Sequence, residues 1–134
     1  MSDASRELCL DDVRQAGLYA VTTHELDFSW RQAGTLGYLR ARITLPPSGD
    51  RDALLDALAD ALAFPDWFGR NWDALADCLG DLSWLEAPGY LLVFERAWEF
   101  HAHSPATWNM AAEILAQASA DWRSRNKAFW VLTT

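Results

Sequence analysis

Three carboxylates spaced four residues apart, Asp73, Asp77 and Asp81, are the side chains of this sequence best placed to do chemistry. Residues four apart share one face of an α-helix, so a helix here would stack the three acids one turn above another. Such acids can act as a general acid and base, hold a metal ion, or bind a basic protein. Carboxylate catalysis usually needs acids that converge on a pocket from unlike environments. Only the small residues Ala76 and Gly80 lie beside these acids, so a partner could approach them closely. The arrangement therefore favours a surface that binds a basic protein.

Two other groups of side chains could also carry chemistry. His101 and His103, close to Glu99, have a spacing found in metal sites, but no further well-placed ligand accompanies them. Cys78 falls on the apolar side of the predicted acidic helix, which favours a buried, inert thiol, whereas the position of Cys9 indicates nothing. The sequence contains neither a glycine-rich phosphate loop nor a nucleophile elbow. We therefore expect no catalytic residue, no bound metal and no cofactor.

The negative charge of the chain is concentrated around these acids. The formal net charge is −8, and residues 50–86 hold nine acids and two arginines, a net of −7. Such a field repels nucleic acids and membrane surfaces and attracts a basic protein. The alternative is that the acids only keep the protein soluble. We expect a protein partner, with no nucleic acid and no membrane.

Length and composition predict one globular domain. A chain of 134 residues with 51% hydrophobic residues and eight tryptophans can bury a large core. No apolar run is long enough to span a membrane, and the first residues lack the pattern of a secretory signal. Two cysteines provide no disulfide framework. These features predict a cytoplasmic protein.

The helix that must hold the acids opens directly after a cluster of aromatic residues at 64–68. A turn at 69–71 separates the two, and either Asn71 or Asp73 can cap the first turn of the helix. The pattern predicts a helix that runs to about Leu85. Opposite the acids lies an apolar face, which must be buried, formed by Trp72, Leu75, Cys78, Leu79 and Leu82.

The rest of the chain alternates between strand and helix patterns, which predicts an α/β fold with a small parallel sheet. Strand patterns lie at 17–23, 38–45, 90–94 and 128–132. Helix patterns lie at 24–33, 51–62 and 105–122, with a helical turn at 98–103. Asp50 and Ser104 are predicted N-caps. Residues 1–14 are interpreted as a frayed arm or short helix, and residues 123–127 are interpreted as a basic loop. On the helix at 51–62, the solvent side is predicted to carry Asp52, Asp56 and Asp60.

The stretch FPDWFGRNWDALADCL, residues 64–79, resembles the central segment of the barstar family of intracellular inhibitors of secreted ribonucleases. The family reads roughly (Y/F)-(Y/F)-G-x-N-x-D-A-L-x-D-C-L, and the match is ungapped. A looser resemblance covers residues 37–134, and residues 1–36 form an N-terminal extension packed on the same domain. The resemblance implies three core parallel strands, with a fourth available from the extension, and about four helices.

The resemblance also implies a function. The protein would block the active site of a basic extracellular ribonuclease or toxin, with Asp77 at the family position that replaces the RNA phosphate and Asp73 as a second acidic contact. Gly80 and Asp81 continue the surface. Further positions that match family contacts are Trp67, Gly69, Asn71, Trp72, Ala74, Ala76 and Gln117. The free protein is expected to be a monomer and not an enzyme.

This sequence departs from the family at three of those positions. Ala76 stands where barstar has tryptophan, Trp72 stands where it has leucine, and Gln117 aligns with a glutamate. These changes concern the identity of the partner more than the mode of binding. Two alternatives therefore stay open: an acidic binding module of barstar-like fold with a basic partner that is not a ribonuclease, and a carboxylate or metal enzyme.

Overall fold

The structure, a computed structural model, describes residues 8–134, which contain four β-strands and five α-helices. The strands are β1 (Leu18–Ala20), β2 (Leu39–Thr44), β3 (Gly89–Glu95) and β4 (Ala128–Thr133). The helices are α1 (Thr23–Thr35), α2 (Arg51–Leu62), α3 (Trp72–Asp81), α4 (Ala97–His103) and α5 (Pro105–Ser124). A short 3-10 helix, Val13–Gln15, precedes β1. The prediction for residues 1–7 lies outside the described residues.

All four strands are parallel and lie in the order β1-β4-β3-β2. This arrangement confirms the predicted α/β fold with a small parallel sheet. The fourth strand comes from the N-terminal extension, as the sequence allowed, because β1 pairs with β4 at the edge of the sheet. The segment predicted as a helical turn forms α4, so residues 8–134 contain five α-helices where about four were expected.

The strand order explains why helices cover both faces of the sheet. The connection from β1 to β2 crosses the whole sheet in one direction, whereas the chain returns through β3 to β4 in the other. Crossovers between parallel strands are right-handed, so connections that run in opposite directions lie on opposite faces. Accordingly, α1 packs on one face, and α2, α3 and α5 pack on the other. The two central strands, β3 and β4, are therefore buried on both sides, which explains their continuous apolar sequences.

Two apolar clusters result, one on each face. The first contains the inward side chains of β2, which alternate with exposed ones, together with the leucines of α2 and the apolar face of α3. The second cluster joins the other face of β3 and β4 to α1 and to the N-terminal segment. It consists of Leu8, Leu10, Ala16, Leu26, Ala33, Leu91, Val93, Ala128, Trp130 and Leu132.

The interpretation of the N-terminal arm as frayed is wrong for residues 8–10. Leu8 is 5% exposed and Leu10 is fully buried. The carbonyl oxygen of Leu10 accepts hydrogen bonds from Trp130 Nε1 at 3.2 Å and from the Tyr38 hydroxyl at 2.7 Å. Residues 8–10 are held in place because they cover Trp130 and the Leu10 carbonyl satisfies its indole N–H, a contact that a local sequence pattern does not reveal.

Two helix ends and one helix cap also differ from the predictions. Helix α3 ends at Asp81 instead of Leu85, because Leu82 adopts a left-handed conformation (φ 49°) and its N–H bonds the Cys78 carbonyl. Ser104 makes no side-chain cap, since its hydroxyl donates to the carbonyl of Gly49 at 3.0 Å. Helix α5 continues to Ser124, so the predicted basic loop begins inside the helix.

Candidate functional site

The loop before α3 is fixed by a small aromatic cluster centred on Trp84. The Trp84 indole N–H donates to the carbonyl of Leu62 at 2.9 Å. The rings of Phe64 and Trp67 meet Trp84 edge-on, with centroids 6.1 and 6.2 Å away, and Phe68 packs on Phe64 at 4.8 Å. Trp67 nevertheless remains 60% exposed. The cluster therefore holds a large aromatic surface in a defined position at the edge of the site.

The first turn of α3 is capped by Asn71, one of the two caps predicted. Its side-chain oxygen accepts the Ala74 N–H at 2.7 Å, which satisfies one of the unpaired amides at a helix start. Asp73 lies in this first turn, where its charge interacts favourably with the helix dipole. Asn71 and Gly69 are exposed, whereas Trp72 and Ala74 are half-buried against the domain.

The three acids at 73, 77 and 81, which we call the acidic ridge, are all exposed on the outer face of α3. Their stacking confirms the geometry expected from the spacing. The Asp81 carboxylate accepts a hydrogen bond from the Ser83 hydroxyl at 3.3 Å. Within residues 8–134, Asp73 and Asp77 have neither a hydrogen bond nor an ion pair from a side chain. The ridge thus presents two uncompensated carboxylates to solvent.

The arginine of the loop, Arg70, does not neutralise the ridge. Its guanidinium binds the carboxylate of Asp56 on α2 through two hydrogen bonds, 2.9 and 3.0 Å long. This carboxylate also raises the pKa of Arg70. Asp56 is exposed, as predicted, but it is paired, which the sequence did not indicate. By directing Arg70 toward α2, the pair leaves Asp73 and Asp77 free of a neighbouring cation.

The other end of α3 is held by α5. The indole N–H of Trp122 donates to the Leu79 carbonyl at 2.7 Å, and Arg125 donates to the Gly80 carbonyl at 3.0 Å. The Arg125 guanidinium lies 3.8 Å from the centre of the Trp122 ring. Carbonyls in the last turn of a helix lack partners within the helix, so these bonds both satisfy them and set the orientation of α3.

Ala76 and Gly80 border an open groove between α3 and α5, with a volume of about 280 Å³, which we call the α3–α5 groove. Gln117 lies in this groove and donates to Asp121 at 3.0 Å. The tertiary structure thus brings Gln117 beside two residues that the sequence placed next to the acids. Five other residues of the groove were not identified from the sequence as site residues: Met110, Glu113, Ile114, Ala118 and Asp121. Their only sequence signal is the four-residue spacing of Glu113, Gln117 and Asp121 along α5.

The geometry does not assemble the metal site considered from the sequence. Across residues 8–134, no group of three His, Cys, Asp or Glu side chains is arranged to hold a metal ion. His101 and His103 are exposed on α4, and the acids of the ridge project from one helix face without converging on a pocket. In the same part of the chain, no helix combines the length and apolarity required to cross a bilayer.

The two cysteines are expected to differ in reactivity. Cys78 is fully buried on the inner face of α3, whereas Cys9 is exposed. Burial, followed by the nearby charges of Asp77 and Asp81, raises the pKa of the Cys78 thiol, so little of the reactive thiolate forms near neutral pH. A thiol reagent should label Cys9 rapidly and Cys78 only after unfolding, which mass spectrometry of the labelled peptides can measure. Rapid labelling of Cys78 in the folded protein would show that α3 is rotated and the ridge misplaced.

Comparison with known proteins shows what this chain is similar to. A family model described as Barstar (barnase inhibitor) matches residues 39–134, which include the acidic ridge and the groove. Over 37 residues the chain is 51% identical to a protein of Bacillus subtilis (strain 168) named "Putative ribonuclease inhibitor YrdF". That match covers 28% of this chain and 38% of the relative. Both descriptions name an inhibitor instead of an enzyme. The chain belongs to the barstar family.

Proposed function

We propose that this protein inhibits a basic, secreted ribonuclease by inserting the acidic ridge into its active site. The inhibitor acts in the cytoplasm as a monomer and protects the cell that makes the ribonuclease. The observation that carries the proposal is the pair of exposed carboxylates, Asp73 and Asp77, that no cation of the described chain compensates. Membership of the barstar family supports a ribonuclease as the partner.

The mechanism is mimicry of the substrate phosphate. A ribonuclease active site concentrates Arg, Lys and His side chains to bind a phosphate and to stabilise its developing charge. A carboxylate inserted there forms charge-assisted hydrogen bonds with the same groups. Asp77 lies at the middle of the ridge, and Asp73 lies one turn before it. Trp67, 60% exposed and held by Trp84, adds an aromatic anchor at the edge of the site.

A second candidate is an acidic binding module whose basic partner is not a ribonuclease. The observation that favours it is that three positions differ from barstar: Ala76 and Gln117, which line the α3–α5 groove, and Trp72, the first residue of α3. Ala76 and Gln117 alter the shape and charge beside the ridge, and shape and charge decide which partner fits. A carboxylate or metal enzyme receives no support from the arrangement of the ridge.

An inhibition assay with secreted proteins of the source organism tests the proposal. Immobilised protein should capture a small basic protein with ribonuclease activity, and addition of the soluble inhibitor should abolish that activity at a one-to-one ratio. Because the net −7 of residues 50–86 steers a basic partner, association should slow by about tenfold or more from low to high ionic strength. A captured partner without ribonuclease activity would support the second candidate, and a salt-independent rate would contradict electrostatic steering.

A further inference from the structure

One edge of the sheet is formed by β2, whose outer side has no partner strand. In the order β1-β4-β3-β2 this strand is the last, so its outer edge pairs with no strand in the part of the chain that the structure describes. The Leu45 N–H bonds the Glu95 carbonyl, which fixes the alternation of backbone groups along β2. The N–H and C=O groups of Arg40, Arg42 and Thr44 therefore point away from β3. An edge of this kind is a template for a further strand.

The charge of this edge is opposite to that of the protein as a whole. Residues 28–49 contain three arginines and no acid, a net of +3 in a chain whose net charge is −8. Arg40 and Arg42 are exposed on β2, and Arg40 forms no ion pair with any of the described residues. Arg42 has one acid nearby, with its Nε 3.5 Å from the Glu95 carboxylate. The edge therefore holds more positive charge than its surroundings neutralise.

Both arginines are held in place beside the edge. Arg40 Nη1 donates to the Trp30 carbonyl at 3.2 Å, and the guanidiniums of Arg40 and Arg42 each lie 4.9 Å from the centre of the Trp30 ring. Gly34, on α1, makes room for this arrangement, because a Cβ atom there would come within 2.9 Å of Arg40 Nη1. Charged side chains that only discourage aggregation need no such fixed position. Fixing the arginines reduces the entropy lost when an acid binds them.

This basic edge lies on the opposite face of the sheet from the acidic ridge. Arg40 and Arg42 contact Trp30 of α1, whereas α3 packs on the other face with α2 and α5. Binding at this edge therefore does not depend on the proposed function. A second copy of the chain fits the edge poorly, because antiparallel pairing of two β2 strands would bring their arginines together.

We propose that the outer edge of β2 binds an extended acidic segment of another protein, which adds a fifth strand to the sheet. Backbone hydrogen bonds to the outward groups of Arg40, Arg42 and Thr44 supply the affinity. Alternate carboxylates of the segment pair with the two guanidiniums. The alternation follows from geometry, since side chains two residues apart on a strand share one face. The protein thus has a second binding surface, with the opposite charge to the first.

Three peptides separate the contributions of strand pairing and charge. The isotope-labelled full-length protein is titrated with acetylated, amidated TETETET, with TQTQTQT, which has no charge, and with PEPEPEP, which keeps the carboxylates but cannot form a strand ladder. We expect saturable amide shifts along β2 with millimolar affinity for TETETET, and affinities weaker by about fivefold for the two controls. Binding of either control as tight as that of TETETET would overturn the proposal.

Hydrogen exchange provides a measurement that charge attraction alone would not change. The amides of Arg40, Arg42 and Thr44, which we call the outward amides, point away from the sheet, whereas those of Ala41 and Ile43 pair with β3. At a TETETET concentration about ten times the dissociation constant, exchange of the outward amides should slow by about tenfold. Exchange at Ala41 and Ile43 should not change. Unchanged exchange of the outward amides would overturn strand addition.

Variants test whether Arg40 makes the contact. Arg40→Gln should weaken TETETET binding by about threefold, whereas Arg31→Gln, which removes the same charge from an exposed position on α1, should leave the affinity nearly unchanged. Gly34→Ala should also weaken binding, because its Cβ displaces the Arg40 guanidinium, while the melting temperature stays the same or rises. Equal effects of Arg40→Gln and Arg31→Gln would contradict the site, since overall charge would then explain the binding.

Two further outcomes would assign the edge to a different occupant and overturn the proposal. Self-association of the free protein, with slow exchange of the outward amides, would identify a second copy of the chain. An oligouridylate that shifts the same amides at a lower concentration than TETETET would identify a nucleic acid. None of these results bears on the proposed function, because the acidic ridge lies on the other face of the sheet.

Discussion

Replacement of Asp77 by alanine is expected to weaken binding of the partner by about 2–5 kcal/mol, roughly 30- to 5000-fold in affinity. The loss arises because the partner's basic groups remain desolvated at the interface without the carboxylate that compensates them. The range is a general one for charge pairs buried at interfaces, and the barnase–barstar complex of the same family is among the systems that define it. Asp73→Ala should have the next largest effect.

The same substitution should not harm the fold. Asp77 is exposed and has like charges four residues away on both sides, at Asp73 and Asp81. Like charges at this spacing destabilise a helix by about 0.2–0.5 kcal/mol each. The free energy of unfolding of Asp77→Ala should therefore be unchanged or slightly higher. Thermal melts beside calorimetric titrations separate the effect on binding from any effect on stability.

Asp60→Ala is the control that measures how much the overall negative charge contributes to binding. Asp56, on the same helix, is unsuitable because its removal would release the Arg70 guanidinium next to the site. Asp60 is exposed on α2 and forms no ion pair with the described residues. Its loss should change the binding free energy by about 0.5 kcal/mol or less. If Asp60→Ala and Asp77→Ala weaken binding equally, overall negative charge explains the affinity and the mimicry mechanism is wrong.

Removal of residues 1–36 should abolish cooperative folding. Helix α1 and the N-terminal segment cover Leu91, Val93, Trp130 and Leu132, each of which is fully buried. Exposure of one large apolar side chain costs about 1.5–3 kcal/mol, so exposure of four approaches the entire stability of a typical domain. The truncated chain should bind a hydrophobic dye and show no sharp thermal transition. A cooperative melt close to that of the full chain would show that the family domain folds without its extension.

Point substitutions on α1 provide a milder version of this test. Leu26, 2% exposed, packs in the second apolar cluster, and Leu26→Ala should lower the free energy of unfolding by about 2–5 kcal/mol. Arg31, exposed on the same helix, is the matched control, and Arg31→Ala should change the stability by about 0.5 kcal/mol or less. Equal effects of the two substitutions on the free energy of unfolding would indicate that α1 does not cover this face of the sheet.

Features that depend on neighbouring residues were predictable from the sequence. The Asn71 cap and the opposition of the acidic ridge to the Leu75 and Leu79 face follow from contacts three or four residues apart. The buried central strands were recognisable because an unbroken apolar run of strand length indicates cover on both faces. The motif at 64–79 is equally local, since its sixteen consecutive residues are sufficient to indicate the family.

Features that depend on residues far apart in the sequence were not predictable from it. Helix α3 stops at Asp81 because Leu82 turns into the core, although the apolar periodicity continues past it. Arg70 pairs with Asp56, fourteen residues earlier, and nothing in the local pattern selects that acid over its neighbours. The position of Leu10 is fixed by the hydrogen bond that its carbonyl accepts from Trp130, which is 120 residues away.

The sequence by itself determined the family, the α/β class and the exposed face on which Asp73 and Asp77 stand, because hydrophobic periodicity, capping and charge act over one or two helical turns. Only the tertiary structure decided what surrounds that face. It paired Arg70 with α2, joined α5 to the end of α3 and opened the groove between Gly80 and Ile114. Each of these depends on how whole elements pack across the sheet, and packing brings together residues whose separation along the chain carries no signal.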